Sequence, residues 1–205
     1  MNLVRPIVDL YFATNRDVRS DRVTRSLAKQ LGLVDSLLDV GCGDGRYTRR
    51  LAEEAGASRA CGVDVKVREH TYIEVQKYDG HSLPFPSQSF DAVTMVDVLH
   101  HCDDPQRVLD EALRVARKVV AVKDHFAFGP VTRQMLYAMD VVGNARFGIP
   151  SPGTYFSPTD WVRMVDAAGG RIASLEWPLK LHDLPWRILG WPELQFTARI
   201  VPVRP

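Results

Sequence analysis

The sequence is short of cysteine, and its charges are almost balanced. Only three cysteines, Cys42, Cys61 and Cys102, occur among 205 residues, without the CxxC spacing of zinc or redox sites. We therefore expect buried, reduced thiols. Lys and Arg number 26 against 25 Asp and Glu, which gives a net charge of +1. A protein that follows nucleic-acid phosphates carries a basic excess, and we therefore expect no nucleic-acid partner.

Long hydrophobic runs and repeats are also missing. No apolar run is long enough to cross a bilayer, and the N-terminal segment lacks the apolar centre of a signal peptide. We expect a cytoplasmic protein with no membrane span. No internal repeat or low-complexity segment occurs. With 205 residues, 45% of them hydrophobic, the chain can bury one sizeable core, which predicts a single domain over residues 1–205.

What the sequence does contain is a glycine-rich turn at Leu37–Gly45, LLDVGCGDG. The short apolar run Ser36–Val40 is typical of a strand covered on both faces, and Arg46–Ala55 has the apolar spacing of a helix. Three alternating glycines occupy the turn: Gly41, Gly43 and Gly45. Glycine lets the backbone turn tightly and approach a ligand closely, which indicates a nucleotide-type site.

Neither a dinucleotide nor a phosphate fits the details of this turn. A dinucleotide fingerprint has its third glycine where this chain has Arg46, and the Lys-Ser/Thr pair of a P-loop is missing. Asp39, at the end of the strand and expected to face the crevice, would repel a pyrophosphate and attract a cation. A turn with no ligand is the simpler alternative, unless further ligand-binding residues follow downstream.

A further acid, Asp64, follows at the spacing of a nucleotide site. Asp64 closes a second apolar run, ACGVDV, about twenty residues after the glycines, where an acid can accept hydrogen bonds from both ribose hydroxyls. Asp79 lies at the start of the segment Tyr78–Val96, YDGHSLPFPSQSFDAVTMV. Together with the turn, Asp64 favours a bound cofactor.

The three segments together resemble the class I S-adenosylmethionine-dependent methyltransferases. DVGCGDG is similar to motif I of that family, and DGHSLPFPSQSFDAV is similar to the LPFP signature of its methyltransferase type 11 branch, which acts on small molecules. The resemblance implies S-adenosylmethionine as the cofactor and Asp79 as the partner of the adenine amine. The cofactor-binding residues that it implies are Asp39, Gly41, Cys42, Gly43, Gly45, Asp64, Val65, Asp79, Gly80, Asp97 and Val98.

Strands and helices alternate along most of the chain, which predicts an α/β fold with a doubly wound sheet. Strands are predicted at Ser36–Val40, Ala60–Val65, Ile73–Tyr78, Phe90–Val96, Lys118–Lys123, Arg171–Trp177 and Gln195–Val203. The short connection between the last two favours an antiparallel hairpin. The family resemblance implies the same architecture, a Rossmann-like, seven-stranded, mostly parallel sheet with a C-terminal antiparallel hairpin.

Two segments outside this alternation are candidates for covering a bound ligand. Residues 1–32 contain two predicted helices, Pro6–Asn15 and Ser20–Leu31, and the family resemblance implies a helical lid over the cofactor crevice. Residues 126–156 hold a helix-like run, Val131–Val142, followed by the loop FGIPSPG. Methionine and aromatic side chains suit an apolar ligand, so we expect either a substrate cap or a helix that only completes the core.

Three histidines are candidate catalytic residues. Methyl transfer from a sulfonium is an in-line displacement, and a base is needed only when the acceptor must lose a proton. His101, His125 and His100 stand at the ends of the fourth and fifth predicted strands and could be that base. Asp97 and Asp124 stand where catechol-type enzymes of this family hold a divalent metal, but two acids are too few, and His125 replaces the expected amide. We expect no metal.

The acceptor is expected to be a small molecule. Amino-methyltransferases of nucleic acids resemble one another in a [DNS]PP[FYW] run after the fourth strand, where this chain reads DVLH, and the Pro-Cys pair of the cytosine enzymes does not occur. The predicted function is methyl transfer from S-adenosylmethionine to a small-molecule acceptor, leaving S-adenosylhomocysteine. Two alternatives stay open: a non-catalytic sensor or partner subunit that binds S-adenosylmethionine and, less favoured, an NAD(P)-dependent oxidoreductase.

Overall fold

Seven strands form one sheet in a computed structural model that describes residues 4–144, 152–184 and 191–204. The strands are β1 (Ser36–Val40), β2 (Arg59–Asp64), β3 (Glu74–Lys77), β4 (Phe90–Val96), β5 (Ala116–His125), β6 (Gly170–Glu176) and β7 (Gln195–Pro202). Their order is β3-β2-β1-β4-β5-β7-β6. Strand β7 runs antiparallel to both β5 and β6, and β1 to β5 are mutually parallel. The predicted Rossmann-like, mostly parallel sheet with its antiparallel hairpin is confirmed.

The described residues form five α-helices. They are α1 (Val4–Leu31), α2 (Arg46–Ala55), α3 (Pro105–Val115), α4 (Pro130–Asn144) and α5 (Pro158–Ala167). Of these, α1, α2, α3 and α5 cover the two faces of this sheet. Side chains of α1 and α2 share one apolar cluster with β1 and β5, and side chains of α3 and α5 share the other with β4, β5 and β7. The chain passes directly from Val115 at the end of α3 to Ala116 at the start of β5, without an intervening loop.

Helix α1 differs from its sequence-based description. Two helices were expected over residues 1–32, but the backbone forms one helix from Val4 to Leu31. The sequence between the predicted helices contains neither proline nor glycine, so nothing interrupts the backbone hydrogen bonds. The last three turns bury Val23, Leu27 and Leu31 against the sheet, which makes them part of the core. A lid role for the preceding turns stays a prediction.

The two ends of the insertion at residues 126–156 are paired with each other through their backbones, next to the sheet. Phe126 and Phe156 form a parallel bridge, and the backbone N–H of Ala127 donates to the carbonyl of Phe156 at 2.8 Å. Phe126 stacks on Phe196 of β7, with ring centroids 4.0 Å apart, and belongs to the core. Within the insertion, α4 covers the predicted run Val131–Val142. The predicted FGIPSPG loop falls largely on residues 145–151, outside the described part of the chain.

Two expectations from the sequence concern thiols and membranes. All three cysteines are free thiols, but each is partly rather than fully buried, because Cys42 and Cys102 lie in loops and Cys61 lies in β2, next to the edge strand of the sheet. Among the helices of the described ranges, none combines the length and the apolar character that a bilayer span requires.

Candidate functional site

The glycine turn between β1 and α2 has the backbone geometry that only glycine adopts easily. Gly41, Gly43 and Gly45 have φ angles of 70°, 60° and 76°. A Cβ atom at Gly41 would lie 2.6 Å from Val98 Cγ2, whereas a Cβ at Gly43 would meet nothing within 4 Å. Gly43 therefore faces open space, and the turn leaves room there for a ligand to approach the backbone.

Asp64, the last residue of β2, holds this turn in place. Its Oδ2 accepts a hydrogen bond from the N–H of Gly43 at 2.8 Å, and its Oδ1 accepts one from the N–H of Lys66 at 2.9 Å. Each carboxylate oxygen can accept a further hydrogen bond. The carboxylate lies beside the open face of Gly43 and retains acceptor capacity for a ligand hydroxyl.

Asp79 and Gly80 follow β3 and lie next to the end of β2. Asp79 Oδ1 accepts from the N–H groups of His81 and Ser82 at 2.8 and 2.7 Å, and these two bonds lower the pKa of the carboxyl. A Cβ at Gly80, whose φ is 87°, would approach Val65 Cγ1 to 3.4 Å. The predicted pairs Asp64–Val65 and Asp79–Gly80 thus lie at neighbouring strand ends.

Asp39 is buried beneath the turn rather than open to the crevice. Its carboxylate accepts hydrogen bonds from Thr48 Oγ1 at 2.5 Å and from Thr94 Oγ1 at 2.8 Å. Burial raises the pKa of Asp39 to about 6, although the two threonine hydroxyls oppose the shift. Through these two hydrogen bonds, the Asp39 side chain on β1 links α2 to β4 beneath the glycine turn.

Asp97 follows β4 and joins two cations that sequence reasoning missed. It has a φ of 56°, a left-handed conformation that costs a residue with a Cβ about 1–2 kcal/mol. Its carboxylate bonds to the ammonium of Lys123 and to Arg19 Nη2, the latter at 2.5 Å. Burial alone would raise the pKa of Asp97, but Lys123 and Arg19 hold it well below its usual range.

Lys123 and Arg19 come from distant parts of the chain. Lys123 is fully buried near the end of β5, and burial lowers its pKa despite the opposing effect of Asp97. Arg19 lies on α1 and also donates to the hydroxyl of Tyr47 at 3.1 Å. A lysine ending the apolar run VVAVK was a usable signal in the sequence, because a lysine in a covered strand needs an acidic partner. Nothing in the sequence around Arg19 marked it.

The three candidate histidines are brought together beyond the ends of β4 and β5. The ring centroid of His100 lies 4.1 Å from that of His101 and 5.1 Å from that of His125. His100 and His125 are buried, whereas His101 is partly exposed. Burial, together with Lys123, lowers the pKa of His125, and burial together with His100 lowers that of His101.

His100 lies between two carboxylates, one of which was not predicted. Its Nδ1 is 2.6 Å from Asp124 Oδ1, and its Nε2 is 3.5 Å from Oδ2 of Asp140 on α4. The Tyr155 hydroxyl donates to the same oxygen of Asp140, and the Tyr155 ring stacks on His100. Burial alone would lower the pKa of His100, but Asp124 raises it. Asp140 and Tyr155 belong to the insertion, so the insertion reaches the histidine cluster.

Two sets of three side chains lie close enough to be compared with metal centres: His100, Asp124 and His125, and His100, His101 and Asp140. In the first set, Asp124 bonds to His100 Nδ1 at 2.6 Å. That distance is typical of a hydrogen bond. Two ligand atoms of one tetrahedral zinc ion, each bonded at about 2.0 Å, would lie roughly 3.3 Å apart. The first set is therefore a hydrogen-bonded group.

The predicted cofactor residues other than Asp39 lie at one edge of the sheet, and Asp39 is buried beneath the turn. Strands β1 to β4 are parallel, so the loops after them lie side by side, and ligands of open parallel sheets bind at this edge. These loops carry Gly41–Gly45, Asp64–Val65, Asp79–Gly80 and Asp97–Val98. The loop after β5 and the insertion continue the edge on the histidine side. The predicted cofactor residues and the candidate histidines therefore occupy neighbouring parts of the same edge.

The chain is similar in sequence to known methyltransferases. Residues 38–120 match the profile of the family described as "Methyltransferase domain". The 27-O-demethylrifamycin SV methyltransferase of Amycolatopsis mediterranei is 32% identical over 114 residues, 48% of this chain and 40% of that protein. The human protein named probable tRNA methyltransferase 9B is 29% identical over 85 residues, 41% of this chain and 19% of that protein. The chain covers less than half the length of each of these two relatives.

The fold extends this similarity over nearly the whole chain. A chain from the solved complex of the Haloferax volcanii Trm112 methyltransferase activator superposes with a TM-score of 0.68 and 17% identity, covering 95% of this chain and 97% of that one. The sheet order and the glycine turn define an α/β protein with a nucleotide-type site. The family-model match over residues 38–120, the sequence relatives and the fold support a class I S-adenosylmethionine-dependent methyltransferase, a family whose cofactor is S-adenosylmethionine.

Proposed function

We propose that this chain transfers a methyl group from S-adenosylmethionine to a small, largely apolar acceptor. The observation that carries the proposal is the convergence of four loops around the open face of Gly43, with Asp64 beside it. Asp64 would bind the ribose hydroxyls and Asp79 the adenine amine. The zwitterionic methionine end matches the Arg19–Asp97 pair, since its ammonium complements Asp97 and its carboxylate complements Arg19.

The protein's part in such a reaction is positioning. S-adenosylmethionine supplies a methyl group that is already activated on a sulfonium, so the chain must hold the acceptor in line and exclude water. Of the three candidate bases, His101 is the one whose side chain is partly exposed and able to contact an acceptor directly. His100 and His125 are buried behind it and would orient it.

An apolar acceptor is supported by the insertion. Phe128, Tyr137 and Met139 expose between 39% and 49% of their surface on or next to α4, although all three are apolar or aromatic. Exposed apolar side chains beside a ligand crevice are typical of binding surfaces. The balanced charge of the chain, +1, supports a small molecule over a nucleic acid.

The test uses isotopically labelled S-adenosylmethionine and two acceptor pools, a small-metabolite extract and total tRNA. We expect label in the metabolite fraction. Label confined to tRNA would overturn the small-molecule acceptor, in line with the relative named as a tRNA methyltransferase. Tight binding of S-adenosylhomocysteine with no labelled product in either pool would favour the non-catalytic sensor or partner subunit.

The glycine turn offers a matched pair of variants for the cofactor site. Gly43 and Gly169 both have positive φ angles, 60° and 72°, and a Cβ atom added at either residue would meet nothing within 4 Å. Each change to Ala therefore carries a similar backbone strain of about 1 kcal/mol. We expect Gly43→Ala to abolish measurable S-adenosylhomocysteine binding in calorimetry and Gly169→Ala, at the turn before β6, to leave it unchanged. Equal affinities would refute the site.

A further inference from the structure

Three potential metal ligands lie close together next to the predicted cofactor residues: His100, His101 and Asp140. Their ligand atoms all lie within 4.8 Å of one another. His100 and His101 come from the short helical turn after β4, and Asp140 comes from α4, so two separate elements contribute. This grouping differs from the Asp97 and Asp124 pair considered from the sequence, because Asp97 is already bonded to Lys123 and Arg19.

The separation between His100 and Asp140 fits a shared cation better than a direct hydrogen bond. Nε2 and Oδ2 are 3.5 Å apart, whereas N–H···O bonds span about 2.7–3.2 Å. A tetrahedral zinc ion with bonds of about 2.0–2.1 Å places its ligand atoms roughly 3.3–3.4 Å apart. The observed distance is close to that edge length.

The surroundings orient these two ligands as a metal site requires. A metal-binding histidine usually donates its other ring N–H to a carboxylate, which fixes the tautomer and the ring orientation. His100 Nδ1 is held by Asp124 in this way at 2.6 Å, and Nε2 is therefore directed at Asp140. The Tyr155 hydroxyl donates to Asp140 Oδ2, the same oxygen that faces His100, and the Tyr155 ring stacks on His100, so Tyr155 contacts both ligands and restricts their positions.

We propose that His100, His101 and Asp140 bind a divalent transition metal of the zinc class. Two imidazoles and one carboxylate are a ligand set that suits zinc, and three protein ligands leave one position open, as in catalytic zinc sites. Because His101 is partly exposed, the open position would serve water or an oxygen of the acceptor, and a metal-bound His101 would position the acceptor rather than act as the base. The metal would connect α4 to the short helical turn after β4.

The experiment titrates chelator-treated, full-length protein with Co²⁺, whose visible absorption reports coordination, and with Zn²⁺ in competition with a chromophoric chelator. We expect one equivalent to bind, with the absorption of a four-coordinate site. Asp140→Asn and His101→Asn should each weaken binding at least tenfold. Asp103→Asn and His81→Asn serve as matched controls, since both residues are exposed and lie outside the set; they should bind metal like the unaltered chain.

Two outcomes would overturn the site: no saturable Co²⁺ or Zn²⁺ binding, or unchanged binding by Asp140→Asn. Either would identify the cluster as an ion pair in which His100 is held between two carboxylates. Thermal melting of each variant checks the fold. Tyr155→Phe keeps all three ligands and should still bind the metal, with a smaller loss of affinity than Asp140→Asn. S-adenosylhomocysteine binding is measured separately, so a failed metal site leaves the cofactor site standing.

Discussion

At the scale of single residues, two carboxylates next to the glycine turn have opposite surroundings. Asp64 is partly exposed and bonded to backbone N–H groups, whereas Asp39 is buried and bonded only to threonine hydroxyls. Burial disfavours the charged form of Asp39 and raises its pKa to about 6. Asp64 is thus suited to contact a ligand, and Asp39 to support the turn from below.

Replacing Asp64 should weaken cofactor binding. Asp64→Ala removes the acceptor for ribose hydroxyls and also the bond to the N–H of Gly43, for an expected loss of about 1–3 kcal/mol in binding free energy. Asp64→Asn keeps an acceptor oxygen and should lose less. Calorimetry with S-adenosylhomocysteine measures both, and Glu54→Ala, exposed on α2, is the control. Unchanged affinity in Asp64→Ala would show that this acid does not bind the ribose.

Asp39 should make the stability of the protein depend on pH. Its pKa rises from 3.8 to about 6 on folding, so the folded state binds the proton more tightly than the unfolded state. The stabilising contribution of this group is complete below about pH 4 and falls by about 3 kcal/mol as the pH rises through 6.

The Asp39→Asn variant isolates that contribution. Chemical unfolding at several pH values between 3 and 8 should show the unaltered chain losing about 3 kcal/mol relative to the variant between pH 3 and pH 7, with a constant difference above. Two parallel stability curves would mean that Asp39 is not the group that titrates. We also expect weaker cofactor binding in the variant, because the charge beneath the turn is lost.

At the scale of elements, periodicity located the strands and the short helices but not the contacts between them. Both β1 and β4 lie where the apolar runs predict, since a covered strand needs a continuous apolar sequence. The continuity of α1 was missed because weak helix formers around residue 16 resemble a break until tertiary packing fixes the helix. Lys123 pairs with Asp97, and Asp140 pairs with His100. The partners in each pair lie far apart along the chain, and residue spacing in the sequence carries no information about such contacts, so neither Lys123 nor Asp140 was predicted.

The insertion allows a matched test on one helix. On α4, Met139 exposes 39% of its surface, whereas Leu136 is 2% exposed and packs with Tyr155 and Leu194. Met139→Ala should leave the melting temperature nearly unchanged and raise the acceptor KM, because the side chain faces the acceptor side in the proposed function. Leu136→Ala should cost about 2–5 kcal/mol of stability. A large drop in melting temperature for Met139→Ala would identify it as a core residue and remove the argument for a cap.

At the scale of the whole molecule, the proposed cofactor site would be assembled from loops that follow four strands of one sheet. These strands are joined by parallel ladders and by clusters that run through both helical layers, so none of the loops can form without the sheet. A ligand bound at this edge contacts only the folded state. Binding free energy is then added to the stability of the whole domain rather than to one segment.

Thermal melting should therefore report cofactor binding as one cooperative shift. S-adenosylhomocysteine at 100 times its Kd should add about 2.7 kcal/mol to the free energy of unfolding, which raises the melting temperature by about 5–11 °C for a domain of this size. NADPH at the same concentration should give no shift. Arg46 stands where a dinucleotide site has its third glycine, and Asp39 places an acid where a dinucleotide site has none. A shift with NADPH and none with S-adenosylhomocysteine would favour the oxidoreductase, and two separate transitions would contradict a single domain.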